Sequence, residues 1–485
     1  MSSLLATAPL LGLIAMVMSL SHLVPIAISL ICGDGEFTMF AASMLFNLAC
    51  GYIVWLATRR FQRELMARDA ILLVVLAWLG GALFATVPLL LSLPGLSFTD
   101  AYFETMSGLT TTGSTILSDL DRLPQSINIW RGFLQWLGGM GMIVLAVALL
   151  PVLGVGGRQI YKAETPGPMK DTKLTPRLAE TAKGLWLVYF GFSVACFAAY
   201  NAAGMSWLDA LMHAFSTLST GGFSNHDASF GYYDSPVLEV ISIVFMVMAA
   251  INFGTHFLAL RGGSLSPYRR DPEFVWFLTV VVGSCAGIGA YLWAMGVYPD
   301  YPTALRHASF NLVSVATSTG FATQDFNLWP IFAPLWMMFL VSFVSCSGST
   351  GGGIKMIRAV ILYKQVYREF VRLLHPTASI PTKIAGQPVE NRVVFAVLAF
   401  LFIYIVCIVS LTLILTASGL DVITAFSAVI ACINNLGPGL NQVGPATTFE
   451  VLNDFQIWML SAAMLIGRLE LFTVLILLMP VFWRK

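Results

Sequence analysis

Charge is scarce in this chain. Of its 485 residues, 11% are Asp, Glu, Lys or Arg and 57% are hydrophobic, which is less than half the charge of an ordinary soluble domain. That excludes a large soluble domain and leaves a chain suited to lipid, with a mean hydropathy of +0.80. The cysteines, Cys32, Cys50, Cys196, Cys285, Cys346, Cys407 and Cys432, lie scattered in apolar segments with no CxxC spacing. They read as small packing residues, not as a disulfide framework or a metal site. HExxH, nucleophile-elbow, P-loop and dinucleotide motifs are missing, so nothing points to an enzyme. Basic patches interleaved with aromatics are missing too, and with them any sign of nucleic-acid binding. The first apolar segment, from about Leu4 to Ile31, has no Lys or Arg before it and no convincing cleavage site after it. It reads as a retained span rather than a signal peptide.

What the chain does have is a series of apolar runs. A helix needs about 20 mostly apolar residues to cross a bilayer. Such runs recur near 8–31, 38–58, 70–93, 128–153, 183–204, 236–260, 274–296, 329–374, 391–418 and 452–482, roughly ten in all. Of the 26 Lys and Arg, 22 fall in alternate connections and at the C-terminus: Arg59 to Arg68, Arg158 to Lys183, Arg261 to Arg270, Lys355 to Arg392, and Arg484 with Lys485. The positive-inside rule makes these connections cytoplasmic and predicts both termini inside. The other face carries Asp100, Asp119, Asp121, Asp209, Asp227, Asp234, Asp300, Asp325, Asp421 and Asp454. Acids settle at any soluble face, yet a mouth this acidic also concentrates cations.

After two spans the chain repeats one unit four times: a span, a short segment with a polar start, a small-residue turn and a second span. The short segments Thr99–Leu109, Ser206–Leu218, Pro302–Ala316 and Asp421–Ile433 are 11 to 15 residues long. They are too short for about 30 Å of hydrocarbon and must enter and turn back. The turns read Thr110-Thr111-Thr112-Gly113-Ser114, Ser219-Thr220-Gly221-Gly222-Phe223, Thr317-Ser318-Thr319-Gly320-Phe321 and Asn434-Asn435-Leu436-Gly437-Pro438. Ser107, Ser216 and Ser314 each stand six residues before the glycine. One such turn would pass for a helix end at a tight crossing; four at the same place in the topology do not. Irregular backbone at membrane depth survives only when packed in protein or lining water. Four turns around one axis aim carbonyls inward, and rings of oxygens replace the hydration shell of a monovalent cation. Glycine supplies backbone angles closed to other residues and permits close approach, and the half-helix C-termini add partial negative charge.

These loops, above all Ser219–Phe223 and Thr317–Phe321, together with Gly467-Arg468-Leu469-Glu470, resemble the Trk/Ktr/HKT superfamily of potassium transporters over nearly the whole chain. Within it, the length and the two extra N-terminal spans are similar to those of bacterial Trk membrane subunits. The resemblance implies an all-α polytopic protein of the bacterial cytoplasmic (inner) membrane. Four span–pore helix–span repeats would surround a central ion pore, preceded by two N-terminal transmembrane helices. The expected divisions are 1–69 for those helices and 70–154 for the first repeat. A cytosolic loop and the second repeat take 155–260, the third repeat with its broken second span 261–375, and a cytosolic connection with the fourth repeat 376–485. The resemblance further implies potassium uptake, with potassium held only at a filter of Thr110, Thr111, Thr112, Gly113, Ser219, Thr220, Gly221, Gly222, Thr317, Ser318, Thr319, Gly320, Asn434, Asn435, Leu436 and Gly437, and no covalently bound cofactor. Glycine in all four filter positions favours potassium over sodium, and Asn435 departs from the pattern by replacing threonine.

The run 329–374 cannot be one straight span, because Cys346–Gly353 holds four glycines in eight residues, each costing up to about 1 kcal/mol in a helix. The resemblance implies that this segment is an intramembrane loop lying across the pore as a gate, built on Gly348, Gly351, Gly352 and Gly353 and contacted by Arg468. Arg468 sits deep in an apolar run, where a charge costs about 2.5–3.5 kcal/mol at the bilayer centre. Glu470, two residues on, lies on another helical face and pairs poorly with it. The family also implies a homodimer, set in membrane lipid, that docks a cytosolic nucleotide-binding regulatory subunit. Arg158–Lys183 and Lys355–Arg372 are the expected contact surfaces, with Arg358, Lys364 and Arg368 as contact residues. His213 and His307 read as core or mouth residues. The residues alone leave open a coupled secondary transporter, for which Glu470 is the sole candidate carboxylate. They also leave open whether flux is channel-like or, as in a symporter, coupled to protons or sodium.

Overall fold

The computed structural model describes residues 2–61, 66–148, 178–377 and 381–484, and these are almost entirely helical. Helices α1 (Ser2–Leu20), α2 (Leu23–Cys32) and α3 (Phe37–Thr58) precede the repeats. Gly12 and Gly51 bring α1 and α3 into backbone contact, since a Cβ on Gly12 would fall 2.8 Å from Gly51 O. The first repeat is α4 (Ala67–Ser92), half-helix α5 (Phe98–Leu109) and α6 (Gln125–Ala148). The second is α7 (Leu178–Ala202), half-helix α8 (Trp207–Leu218), α9 (Pro236–Ala250) and α10 (Phe253–Gly262), followed by the short α11 (Ser266–Arg270). The third is α12 (Pro272–Ala294), half-helix α13 (Tyr301–Ala316), α14 (Phe332–Val341) and α15 (Met356–Leu374). The fourth is α16 (Asn391–Ala417), half-helix α17 (Val422–Ile433), α18 (Asp454–Arg468) and α19 (Leu471–Leu475). A two-stranded hairpin, β1 (Lys383–Ile384) and β2 (Gln387–Pro388), joins the third repeat to the fourth.

All four half-helices start the same way. Ser97, Ser206, Asp300 and Asp421 accept the backbone N–H three residues on, from Asp100, Asp209, Thr303 and Thr424. Each cap satisfies one of the N–H groups that a helix leaves open at its start. Asp100, Asp300 and Asp421, expected as part of an acidic mouth, thus sit at these helix starts, where negative charge is favourable.

Among the described residues, six helices are long and apolar enough to cross a membrane, or up to eight if each bent pair is one span. Two expectations need correction. The segment 236–260 is not a straight span, because α9 and α10 meet at 99°. The break is held by Asn252, whose side chain accepts Gly254 N at 2.7 Å and starts a new helix. Likewise 452–482 bends by 118° after Arg468. Finally, α15 does not offer Arg358 and Arg368 to solvent. Arg358 is 2% exposed and Arg368 7%, whereas Tyr363, Tyr367, Phe370 and Leu374 on the same helix are exposed. Arg358 donates to Glu470 at 2.9 Å and lies over the Phe400 ring, and Arg368 bonds Asn391 at 3.0 Å. The expected docking surface of Arg358, Lys364 and Arg368 is therefore turned largely inward. The other expected surface, 158–177 of Arg158–Lys183, lies outside the described residues.

Candidate functional site

The four turns follow one backbone course. Thr111, Thr220, Ser318 and Asn435 have φ of 55°, 53°, 58° and 52°. Gly113, Gly222, Gly320 and Gly437 follow at 85°, 79°, 91° and 102°. Between them, the N–H of Thr112, Gly221, Thr319 and Leu436 returns to Ser107, Ser216, Ser314 and Ala431 O, each at 2.8 Å. Asn435 therefore keeps the backbone path of its counterparts, and Asn is among the residues that best tolerate a left-handed conformation. Its side chain differs, donating to Thr112 Oγ1 at 2.9 Å and to Met464 O at 3.0 Å.

The loops close on one another in order. A Cβ on Gly113 would fall 2.1 Å from Gly221 O, on Gly222 1.9 Å from Thr319 O, on Gly320 2.1 Å from Leu436 O, and on Gly437 3.0 Å from Thr112 O. Each glycine abuts the carbonyl that precedes the next repeat's glycine, and the fourth repeat returns to the first. The carbonyls of Thr112, Gly221, Thr319 and Leu436 thereby form a closed ring that leaves no room for a side chain at three of its four seams. On one side a cavity of about 330 Å³ is lined by all four glycines, with Asp119, Asp227 and Arg131 in its wall. Of the expected mouth acids, Asp227 accepts Leu120 N and Asp234 pairs with Arg306 at 2.9 Å.

On the half-helix side of the ring runs the segment 342–355. Thr350 Oγ1 donates to Leu218 O at 3.2 Å, and Gly352 N to Ser318 Oγ at 2.8 Å. A Cβ on Gly352 would fall 2.0 Å from Asn434 O, and one on Gly351 3.1 Å from Thr317 O. The segment thus touches the half-helix ends of the second, third and fourth repeats. Arg468 joins it to the first, donating to Thr350 O at 2.8 Å and to Gly138 O at 3.0 Å. These carbonyls, rather than a carboxylate, are the partners found for the deep charge. Gly351 and Gly352 thus lie against the ring loops and Arg468 against Thr350, while Gly348 packs on Asn252 and Gly353 on the Val341 and Ser342 carbonyls. Lys355, also buried, donates to Gly351 O.

The bend between α9 and α10 seats this segment. Breaking the helix frees backbone groups, and the segment takes them: Cys346 N donates to Ala250 O, and Phe253 N to Gly348 O, both at 3.0 Å. Glu273 clasps both ends, its Oε1 accepting Ser347 N at 3.0 Å and Ile357 N at 2.9 Å. Glu273 and Glu104, 0% and 1% exposed, correct the reading of Glu470 as the sole carboxylate at this depth, since Glu470 is paired with Arg358. Sequence reasoning missed both. Glu273 opens a span beside Pro272 and passes for an ordinary helix start. Glu104 carried a readable signal, standing nine residues before its glycine, as His213 and Asn311 do. His213 bonds Ser224 Oγ at 3.1 Å, and His307 stacks on Tyr298 with ring centroids 5.1 Å apart.

The family model for TrkH, described as a cation transport protein, matches residues 37–484. The Trk system potassium uptake protein TrkH of Vibrio parahaemolyticus is 46% identical over 481 residues, covering 98% of each chain. The Trk system potassium uptake protein TrkG of Escherichia coli is 37% identical over 98% of this chain and 97% of its own. The crystal structure of the potassium transporter TrkH from Vibrio parahaemolyticus superposes with a TM-score of 0.90 at 43% identity, covering 100% of this chain and 99% of that one.

Proposed function

This chain belongs to the TrkH family of cation transport proteins, and from that premise we propose that it takes up potassium across the bacterial cytoplasmic membrane, with the ring of four loops as its selectivity filter. The observation that carries the reading is the cyclic closure of the loops, each glycine against the next repeat's carbonyl. Potassium sheds water at the carbonyls of Thr112, Gly221, Thr319 and Leu436, whose oxygens stand in for the hydration shell. Hydroxyls at Thr110, Thr112, Thr317 and Thr319, paired within each loop at 2.8 Å, add oxygens to the same wall. Potassium is cargo here, bound at the filter and released below it.

The segment 342–355, with Gly348, Gly351, Gly352 and Gly353, is the gate in this reading. It occupies the path below the ring, and Arg468 raises the barrier to cations by placing a fixed positive charge beside it. Opening requires Thr350 and Gly352 to part from Leu218, Ser318 and Arg468, while Glu273 keeps both ends in place. The divisions 70–154, 155–260, 261–375 and 376–485 are the four pore units, with 1–69 as two flanking spans, the first made of α1 and α2 and the second of α3, and both termini cytoplasmic. A homodimer, and a cytosolic nucleotide-binding regulatory subunit that works the gate, complete the assembly we assign to it. The ion pair of Glu470 with Arg358 weighs against Glu470 as the coupling carboxylate of a secondary transporter.

Uptake of radioactive rubidium by proteoliposomes of the purified chain tests this reading. Rubidium should accumulate down an inside-negative diffusion potential, with competition by potassium and far less by sodium. Equal competition by both ions would overturn it.

A further inference from the structure

Behind the ring, each half-helix sends up one polar side chain to hold the strand that follows its own glycine. Glu104 accepts Thr115 Oγ1 at 3.0 Å and Ile116 N at 3.1 Å. His213 bonds Ser224 Oγ at 3.1 Å. Asn311 accepts Thr323 N at 3.2 Å and donates to Thr323 Oγ1 at 3.0 Å. Ser427 accepts Leu440 N at 2.9 Å and donates to Leu440 O at 3.3 Å. The first three stand nine residues before their glycines and Ser427 ten. The four pins share a place and differ in strength, because among them only Glu104 belongs to an ion pair.

Its partner is Arg131 of α6, at 2.8 Å, with both side chains 1% exposed. Arg131 does more than neutralise a carboxylate. Its Nη1 donates to Ser224 O at 2.9 Å and to Asn128 Oδ1 at 3.3 Å, and its Nη2 to Thr115 Oγ1 at 3.2 Å. The guanidinium lies over the Phe223 ring, 4.4 Å from its centroid. Thr115 follows Gly113 and Phe223 follows Gly222, so one planar group binds the post-glycine strands of two adjacent repeats. Arginine suits this task because its donors form a rigid fork, which a lysine cannot reproduce.

We propose that Glu104 and Arg131 form a positioning pair that fixes the spacing between the first and second repeats' loops and so sets how sharply the ring discriminates among monovalent cations. This rests on the reading of the ring as the filter. A ring of carbonyls tells two ions apart only while its width is held, and among the described residues the seam between Gly113 and Gly221 O is the one bridged by a buried charge pair. The pair acts on the ring through Thr115, Phe223 and Ser224.

The test compares rubidium and sodium uptake by proteoliposomes of the full chain carrying Arg131→Lys, Glu104→Gln or Thr115→Val, beside Asn311→Ala and Gly222→Ala. Arg131→Lys keeps the charge and loses the fork, Glu104→Gln keeps the acceptor oxygen and loses the charge, and Thr115→Val keeps both charges and loses only the shared hydroxyl. The expected result is a rubidium-to-sodium ratio lowered by roughly tenfold in the first two, as for loss of a hydrogen bond to a charged group. Thr115→Val should fall between these and Asn311→Ala, with thermal stability within a few degrees of the parent for each. A parental ratio in Thr115→Val and in whichever of the charge variants folds, with the ratio lost in Gly222→Ala, would make the pair scaffolding and overturn the proposal while leaving the filter standing. A parental ratio in Gly222→Ala as well would overturn the filter reading itself.

Discussion

The ring and the layer beneath it are built from the same four repeats by opposite rules. At the ring, the left-handed residues of the four turns agree in φ to within a few degrees, their glycines all have positive φ, and each return bond is 2.8 Å. In the second helices the repeats part company: the second bends by 99°, the third opens into the segment 342–355, and the fourth bends by 118° before Glu470. The half-helix ends of the second, third and fourth repeats meet the same segment at Thr350, Gly351 and Gly352, whereas the first repeat is joined to it through Arg468. A filter needs its oxygens at equal distances and so constrains all repeats alike. A gate needs one element that can leave, so the other repeats adapt around it. With the ring as filter and the segment as gate, as proposed, repetition would mark what stays still and departure from it what moves.

The sharpest way to break the comparison is to add a methyl group at the ring. Ala at Gly113, Gly222 or Gly320 would set a Cβ 1.9 to 2.1 Å from the next carbonyl, whereas at Gly437 the distance is 3.0 Å. The first three variants should lose discrimination of potassium over sodium by on the order of a hundredfold, the equivalent of about 2.7 kcal/mol, and Gly437→Ala by clearly less. Competition of unlabelled ions with rubidium uptake gives the ranking, and a flat ranking would mean that the clearance at each seam does not set discrimination.

Below the ring the effects should fall on basal flux and leave selectivity alone. Arg468→Ala removes the bonds to Thr350 O and Gly138 O and should raise basal rubidium flux by roughly tenfold, a barrier lowered by about 1.4 kcal/mol. Glu273→Gln retains the Oε1 that accepts both Ser347 N and Ile357 N, so it should leak less than Glu273→Ala. Unchanged flux in folded Arg468→Ala would place the barrier elsewhere.

The smallest effect concerns pH on the mouth side. Burial lowers the His226 imidazole, but hydrogen bonds and attraction from Asp209 and Asp121 outweigh it and hold the group above its ordinary 6.5. Asp121 is opposed by burial too, yet its bond to His226 holds it below its ordinary 3.8. The raised histidine makes its contribution fully below 6.5 and loses it as pH rises through the folded value. The depressed carboxylate makes its contribution above 3.8 and loses it as pH falls through its folded value. The link between loops 119–122 and 224–227 is therefore firmest in the weakly acidic range. Because the Asp121 side chain is 44% exposed, solvent screening keeps the gain below about 1 kcal/mol. Melting temperature should drop slightly from pH 6 to pH 8.5, and His226→Asn should abolish that dependence.

The ring was legible in the sequence because each of its requirements is local. A left-handed residue followed by a positive-φ glycine restricts the residue types in place, and a half-helix too short to span announces itself by length. The segment around Gly351 was legible for the same reason. The bend at Ile251 and Asn252 was not, since a lone Gly254 passes for a tolerated helix glycine and the groups that take up the freed backbone, Cys346 and Gly348, lie some hundred residues away. Arg358 and Arg368 read as surface charges on an amphipathic helix, because Glu470, Phe400 and Asn391, which draw them inward, belong to the fourth repeat. Glu104 and Arg131 are 27 residues apart, and only the packing of α6 behind α5 makes them a pair.

The central claim is that the carbonyls of Thr112, Gly221, Thr319 and Leu436 surround a monovalent cation. Crystals grown with thallium, a potassium substitute visible by its anomalous scattering, test it most directly. The account predicts an anomalous peak on the axis of those four carbonyls, lost on competition with potassium and retained in excess sodium. Anomalous peaks only elsewhere in the protein, with none inside the ring, would contradict it.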